Sequence, residues 1–334
     1  MPPTSGSDMQ IVFAGSGTFG LPTLAALVEG GQDVGLLVTQ PDRPAGRGQV
    51  VQTGPLARFA KDRDIPILQP EDINTPANVR RIREARPDLL LVIAFGQKIG
   101  PELLRMPRHG AVNLHASLLP KYRGAAPINW ALINGDPETG LSVIRMTDRI
   151  DAGDILGQRA TVIQPDETAG DLMERLAKLG ARLVTEVVRE IPLDEAEPRR
   201  QNESQVSQAP RLKKLDGRID WARAASEVHN HIRGVTPWPG AFTGLAAKAG
   251  GEPLRLVITR TTVPVDASAA GEPGTILQAG AAGLDVATAR GVVRILELTP
   301  AGKRPMTAAA FVNGCRIEPG ARFAAADQKV GADS

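Results

Sequence analysis

The chain has 334 residues, 42% hydrophobic and 23% charged; at about 150 residues per domain this predicts two domains with real cores and excludes a disordered chain. Its 35 Gly and 27 Pro stay below the roughly 25–30% share that marks low complexity, which excludes collagen-like and linker-dominated architectures. The net charge is +2, but residues 213–334 carry 15 basic and 11 acidic side chains, a mild excess that permits contact with a polyanion without demanding it. Residues 1–10 have no basic stretch leading into an apolar core, the longest strongly apolar run is Leu89–Phe95, and Cys315 is the only cysteine. A cytoplasmic protein is expected, with no membrane span, disulfide framework or cysteine-bound metal.

In chain order, the apolar run Met9–Ala14 meets Gly15, and an apolar-periodic stretch from Phe19 to Glu29 ends at Gly30 and Gly31, which predicts strand, turn and helix. Asp33–Thr39 reads as a second strand. Thr53 as N-cap with Pro55 inside predicts a helix to Asp62, and Ile65–Leu68 a short strand. Thr75 and Pro76 open a further helix with Arg80, Arg81 and Arg83 on its solvated face. Leu89–Phe95, apolar on every side, reads as a strand buried on both faces. Ala111–Leu114 is a strand leading into the polar segment His115–Gly124, and Thr168–Glu190 a long amphipathic helix. Repeated strand and helix units predict an α/β, Rossmann-like, mostly parallel sheet.

Residues 192–212, rich in charge and polar side chains and without a period, read as a linker. It separates a catalytic domain over 1–191 from a smaller one over 213–334. There the pattern turns to short β-rich runs, Leu254–Val263, Thr275–Gln278, Leu284–Thr288 and Val292–Leu298, beside one helix, Arg223–Arg233, the pattern of a small barrel or sandwich.

Gly15-Ser16-Gly17-Thr18-Phe19-Gly20 matches the dinucleotide fingerprint between strand one and helix one. This keeps a NAD(P)-dependent oxidoreductase open as an alternative. The match is partial, because strand two ends Val38-Thr39-Gln40 with no acid for a ribose. A tight turn that needs glycine for positive φ and close packing is the simpler account. Asn113 and His115 carry more chemistry. Two apart on a strand end, they share a face at the carboxyl edge of a parallel sheet, and an amide beside an imidazole suits an oxyanion forming at a carbonyl or formyl carbon. The run Asp148–Asp154 adds carboxylates in a Gly-bearing loop, one of which can orient that imidazole. His229 and His231 point apart on their helix and share no metal. Asn202-Glu203-Ser204 is a sequon without consequence in an unexported chain, and Cys315 has no base beside it.

The run Asn113, His115, Ser117-Leu118-Leu119-Pro120, Tyr122-Arg123-Gly124 and Ala126-Pro127, followed by Asp151-Ala152-Gly153-Asp154, resembles the signature of the folate-dependent formyltransferases. Asp42-Arg43-Pro44-Ala45-Gly46-Arg47-Gly48 resembles the insertion loop of that family's methionyl-tRNA branch. Pro237-Trp238-Pro239-Gly240-Ala241 and Pro300-Ala301-Gly302-Lys303 resemble its C-terminal domain. The resemblance covers nearly the whole chain and is specific in combination.

It implies formyl transfer from 10-formyltetrahydrofolate to the α-amino group of methionyl initiator tRNA, for translation initiation. Asn113, His115 and Asp151 are the implied catalytic set, with no metal. Ser117, Leu118, Leu119 and Pro120 would line the folate pocket, with Phe95 and Gly96 against the pterin. The C-terminal domain would be an OB-like barrel. Arg43 and Arg47 on the flexible loop, and Lys213, Lys214, Arg218, Lys303 and Arg304 beyond the linker, would meet RNA phosphates. Gln49-Val50 stands where that branch commonly has lysines, so the loop's expected grip on RNA is either weaker or rests on the two arginines. A monomer is expected. A sugar-nucleotide or small-amine formyltransferase on the same core is the nearer alternative, disfavoured because neither acceptor needs the loop or a basic second domain. A non-catalytic RNA-binding protein is disfavoured by the intact Asn113, His115 and Asp151 set.

Overall fold

A computed structural model describes residues 9–45, 50–193, 195, 197–246, 253–264 and 271–324. The first half alternates short strands and helices: β1 (Gln10–Gly15), α1 (Leu21–Glu29), β2 (Asp33–Val38), β3 (Arg43–Ala45), β4 (Val50–Gln52), α2 (Pro55–Lys61), β5 (Ile67–Leu68), α3 (Pro76–Glu84), β6 (Leu89–Ile93), α4 (Pro101–Arg105) and β7 (Ala111–His115). There follow α5 (Pro127–Ile133), β8 (Glu138–Arg145), β9 (Ile155–Val162) and α6 (Ala169–Glu190). One seven-stranded sheet runs in the order β5-β2-β1-β6-β7-β8-β9. The pairs from β5 to β7 are parallel and β7 pairs antiparallel with β8. The expected mostly parallel sheet is therefore present, with an antiparallel pair where β7 meets β8.

Every residue of β6 is buried, as its unbroken apolar run requires of a strand covered on both faces. Alternate residues divide the two sides. Val12, Ala14, Leu36, Val38, Leu90 and Val92 form one cluster with Val79 and Ile82 of α3 and Leu103 of α4. On α6, Leu172, Leu176, Val184, Val187 and Val188 are buried while Glu174, Lys178, Arg182 and Glu186 are exposed, an apolar stripe at helical period. Each such aliphatic contributes about 1.5–3 kcal/mol on burial.

Threonine side chains cap the starts of α3 and α6. Thr75 caps α3, its Oγ1 accepting from Asn78 N at 3.4 Å. Thr168 and Asp171 exchange bonds at the start of α6, Thr168 N to Asp171 Oδ2 at 3.0 Å and Asp171 N to Thr168 Oγ1 at 3.2 Å. The cap expected at Thr53 is instead Gly54. The Thr53 hydroxyl donates to Asp42 Oδ2 at 3.0 Å, so a tertiary partner has taken it from the helix.

Beyond residue 210 stand α7 (Ala225–Gly234), β10 (Ala241–Leu245), β11 (Leu254–Thr262), β12 (Ile276–Gly280), β13 (Gly283–Ala287), β14 (Val292–Pro300), β15 (Met306–Thr307), α8 (Ala308–Cys315) and β16 (Phe323–Ala324). Helix α8, capped by Thr307 Oγ1 on Ala310 N, is a second helix where the sequence reading has one. Its Ala-rich run beside β-branched neighbours gives a weak period. The sheet order β12-β13-β14-β11-β10-β16 is antiparallel at each paired step. Its two ends are tied by the Thr275–Arg322 bridge and by Phe323 N donating to Gly274 O at 2.8 Å. The expected barrel is thus an antiparallel sheet whose ends are joined by a bridge, without a continuous closing ladder among the described residues.

Two compact units result. One gathers described residues up to 127, 139–161 and 173–209; the other gathers 128–138, 162–172 and the residues from 210 onward. The segment that composition marks as a linker thus clusters with the first unit as far as 209. Among the described residues, no helix is long and apolar enough to cross a membrane.

Candidate active site

Strand β7 ends on the chemistry. Its parallel neighbour β6 ends at Ile93, which pairs in register with Gly15 at the end of β1, the next strand beyond, so three carboxyl ends share one edge of the sheet. Ser16 joins two of them: its Oγ donates to Phe95 O at 3.3 Å and accepts from Gln40 N at 3.3 Å. Gln40, where a dinucleotide fold wants an acid, donates from Nε2 to Phe95 O at 3.1 Å. The glycine turn has the expected conformational reason, with Gly17 at φ +70° and no room at Gly15, where a Cβ would lie 2.9 Å from Ile93 O.

Asn113 and His115 lie on one face of β7, and Leu114 on the other meets α6, where a Cβ on Gly180 would stand 2.7 Å from its Cδ2. Asn113 is half-buried, and its carboxamide has no hydrogen-bond partner among the described residues. The His115 imidazole is buried at 6% exposure. Its Nε2 donates to Tyr122 O at 2.9 Å and its Nδ1 faces Asp151 Oδ1 at 3.6 Å. A carbonyl only accepts, so Nε2 carries a proton, and Nδ1 faces a carboxylate oxygen that only accepts.

Asp151 sits at φ +51°, a conformation that non-glycine residues adopt rarely. Its Oδ2 accepts from Gly124 N at 2.9 Å. Gly153, two residues on, packs where any Cβ would overlap Arg145 O, which is why the loop needs glycine there. The segment 117–120 is pinned from below. Ser142 Oγ, fully buried, donates to Ser117 O at 2.7 Å and accepts from Leu119 N at 3.1 Å, and Gln158 Nε2 donates to Leu119 O at 3.0 Å.

Ser117 is fully buried with its hydroxyl on Lys121 O at 2.6 Å, Leu119 is buried, and Leu118 and Pro120 are half-buried. The Phe95 ring lies in the cluster with Val92 and Ile99, while Ala94 and Gly96 on either side are exposed.

The profile described as Formyl transferase matches residues 9–188, and that described as Formyl transferase, C-terminal domain, matches 211–316. Over 317 residues, 95% of this chain and 99% of the relative, it is 44% identical to the methionyl-tRNA formyltransferase of Geobacter metallireducens. The chain belongs to the methionyl-tRNA formyltransferase family. The enzyme of that name from Agathobacter rectalis is 39% identical over 94% of this chain and 99% of its own. Among solved structures, the N-formyltransferase of Helicobacter canadensis, in complex with folinic acid and dTDP-3-aminofucose, has a TM-score of 0.62 at 17% identity over 86% of this chain and 98% of that one. HypX of Aquifex aeolicus, in complex with tetrahydrofolic acid, has 0.61 at 16% over 92% of this chain and 47% of that one. These likenesses show the formyltransferase fold. Family membership also sets aside the nicotinamide reading of the glycine turn.

Sequence reasoning missed several parts of this formyltransferase site: the Tyr122 carbonyl, the Gly124 amide, Ser142, Gln158 and, above all, Gln201, Glu203 and Ser207 from the supposed linker. Ser207 Oγ accepts from Tyr122 N at 2.9 Å. Arg123, buried at 6%, directs its guanidinium to Gln201 Oε1 at 2.8 Å and to Glu203 Oε1 at 3.0 Å. The Glu203 carboxyl is held below its ordinary range by hydrogen bonding from Arg123 and by the Arg149 charge. No local signal in residues 199–209 announces these partners.

Of the cations expected to meet RNA, Arg43 is exposed and 3.6 Å from Glu71, Lys213, Lys214, Arg218, Lys303 and Arg304 are exposed, and Arg47 lies outside the described residues, as does Gln49. Among the described residues, no group of three or more His, Cys, Asp or Glu side chains is placed to hold a metal.

Proposed function

We propose that this chain transfers the formyl group of 10-formyltetrahydrofolate to the α-amino group of methionyl initiator tRNA, with Asn113, His115 and Asp151 as its catalytic residues. The observation that carries the reading is the meeting of a buried His115–Asp151 pair, 3.6 Å apart, with the unpartnered Asn113 carboxamide at the carboxyl edge of the sheet. A formyl carbon attacked by an amine becomes tetrahedral and its oxygen gains negative charge. The Asn113 amide donates a hydrogen bond to that oxygen, and the protonated His115 ring places positive charge on the same strand face. Asp151 balances and orients the ring, and its carboxylate assists the passage of a proton from the attacking amine to the departing N10 of the folate.

The exposed backbone at Ala94 and Gly96 and the half-buried Leu118 and Pro120 suit a flat heterocycle, which needs close approach and small side chains. The buried Phe95 ring supports that turn from within the core. Arg43 and Arg47 on the insertion, with Lys213, Lys214, Lys303 and Arg304, meet phosphates of the acceptor RNA.

The test is transfer of labelled formyl from 10-formyltetrahydrofolate to methionyl-tRNA, with uncharged tRNA and free methionine as controls. Formylation of the charged initiator tRNA alone is expected. Transfer to a sugar amine or another small amine, with none to the charged tRNA, would overturn the acceptor assignment.

A further inference from the structure

We infer that Gln201, from the segment that composition marks as a linker, is a positioning residue for the Asp151 carboxylate, acting by donating two hydrogen bonds to the backbone of the Asp151 loop. The inference rests on the catalytic role proposed for Asp151. Gln201 Nε2 donates to Asp151 O at 2.8 Å and to Gly153 O at 2.7 Å. Its Oε1 accepts from Arg123 Nε at 3.1 Å and from Arg123 Nη2 at 2.8 Å. The orientation of the amide follows from chemistry: a guanidinium only donates and a backbone carbonyl only accepts, so oxygen must face Arg123 and nitrogen the loop.

The contacts close a ring. Arg123 holds Gln201, Gln201 holds the Asp151 backbone, the Asp151 carboxylate accepts from Gly124 N at 2.9 Å, and Gly124 follows Arg123 in the chain. Backbone pairing keeps the two sides together: Arg123 N donates to Ser207 O at 2.9 Å and Ala209 N to Arg123 O at 2.7 Å. Gly124, at φ +122°, packs where a Cβ would meet Ala209 O at 2.7 Å. The ring has a task, because Asp151 at φ +51° relaxes unless its surroundings over-determine it. At 3.6 Å from His115 Nδ1 the carboxylate stands just beyond hydrogen-bond reach, where a shift of about 1 Å is worth up to about a hundredfold in rate.

Two substitutions separate positioning from simple support. Gln201→Leu removes every contact. Gln201→Glu keeps the size and the acceptor for Arg123 but sets an oxygen against the two carbonyls. Both proteins are assayed for kcat and for KM of the formyl donor, and amide hydrogen exchange is followed over residues 148–154. The expected result is a fall in kcat of about tenfold or more in both variants, KM within about twofold of the unaltered protein, and faster exchange in that loop. A Gln201→Glu protein with unaltered kcat and loop exchange would overturn the inference, since Arg123 would then be the only partner that matters. A loss of kcat without a change in loop exchange would also overturn it. Absence of formyl transfer by the unaltered protein would reject the proposed function instead, and the exchange comparison alone would then decide whether Gln201 holds the loop.

Discussion

Each compact unit buries a histidine whose two ring nitrogens both face oxygen, and the two differ in what those oxygens can do. His229 on α7 faces Thr261 Oγ1 with Nδ1 at 2.9 Å and Pro165 O with Nε2 at 3.0 Å, with Asp166 3.9 Å away. The Thr261 hydroxyl is able to donate, so a neutral ring is satisfied at both ends. Burial pushes the His229 pKa down, and the nearby Arg233 charge pushes the same way. His115 has no such donor: one partner is a carbonyl and the other a carboxylate. The first histidine is part of a core; the second lies between a carbonyl and a carboxylate at the carboxyl edge of the parallel strands. Two residues with similar burial and the same side chain therefore differ in the oxygens they meet, a hydroxyl in one place and a carboxylate in the other.

The largest expected effect breaks that contrast most directly. His115→Ala and Asp151→Asn are each expected to lower kcat about 10²–10⁴-fold with RNA binding little changed, checked by single-turnover formyl transfer and by filter binding. His229→Ala is expected to do the reverse: a loss of about 2–4 kcal/mol in denaturant unfolding, because Thr261 and Pro165 lose a partner and a cavity opens, with kcat of the folded protein within about twofold. Equal loss of kcat in both variants would erase the distinction.

The same site has a pH signature. His229 and His231 both titrate below 6.5 in the folded chain, first because of burial, so the unfolded chain binds more protons in the window below 6.5. Stability is fully present above that pH and falls as pH drops toward the folded values. His229→Gln is expected to flatten this slope, measured as the unfolding midpoint between about pH 7 and pH 5.

The smallest effect concerns the exposed cations. Arg43 and Glu71 have side-chain exposures of 70% and 79%, and such a pair adds at most about 0.5–1 kcal/mol. Arg43→Ala is expected to leave the melting temperature unchanged and to weaken use of methionyl-tRNA with a shallower salt dependence. Unaltered salt dependence would remove Arg43 from the RNA-contacting set.

Much of the fold was legible locally. The strands β1, β2, β6 and β7, the Thr75 cap and the amphipathic α6 all follow from short-range pattern, because alternation, helical period and capping chemistry act within a few residues. So did the pairing of Asn113 with His115 on one strand face. Misreadings fall where a distant partner intervenes: Thr53 turns from its helix to Asp42, and the run 199–209 looks like a linker because its polar side chains are satisfied by residues about fifty to eighty-five positions earlier.

The sequence by itself determined the alternation of elements, the pairing of Asn113 with His115 on one strand face and, through its motifs, the resemblance to the formyltransferases, since these depend on neighbours in the chain. Only the tertiary structure decided which oxygens face each histidine, that Asp151 takes a left-handed conformation under Gln201, and that a stretch of irregular polar chain completes the site. Those outcomes are set by hydrogen-bond geometry between segments far apart in sequence, and local composition carries no record of such partners.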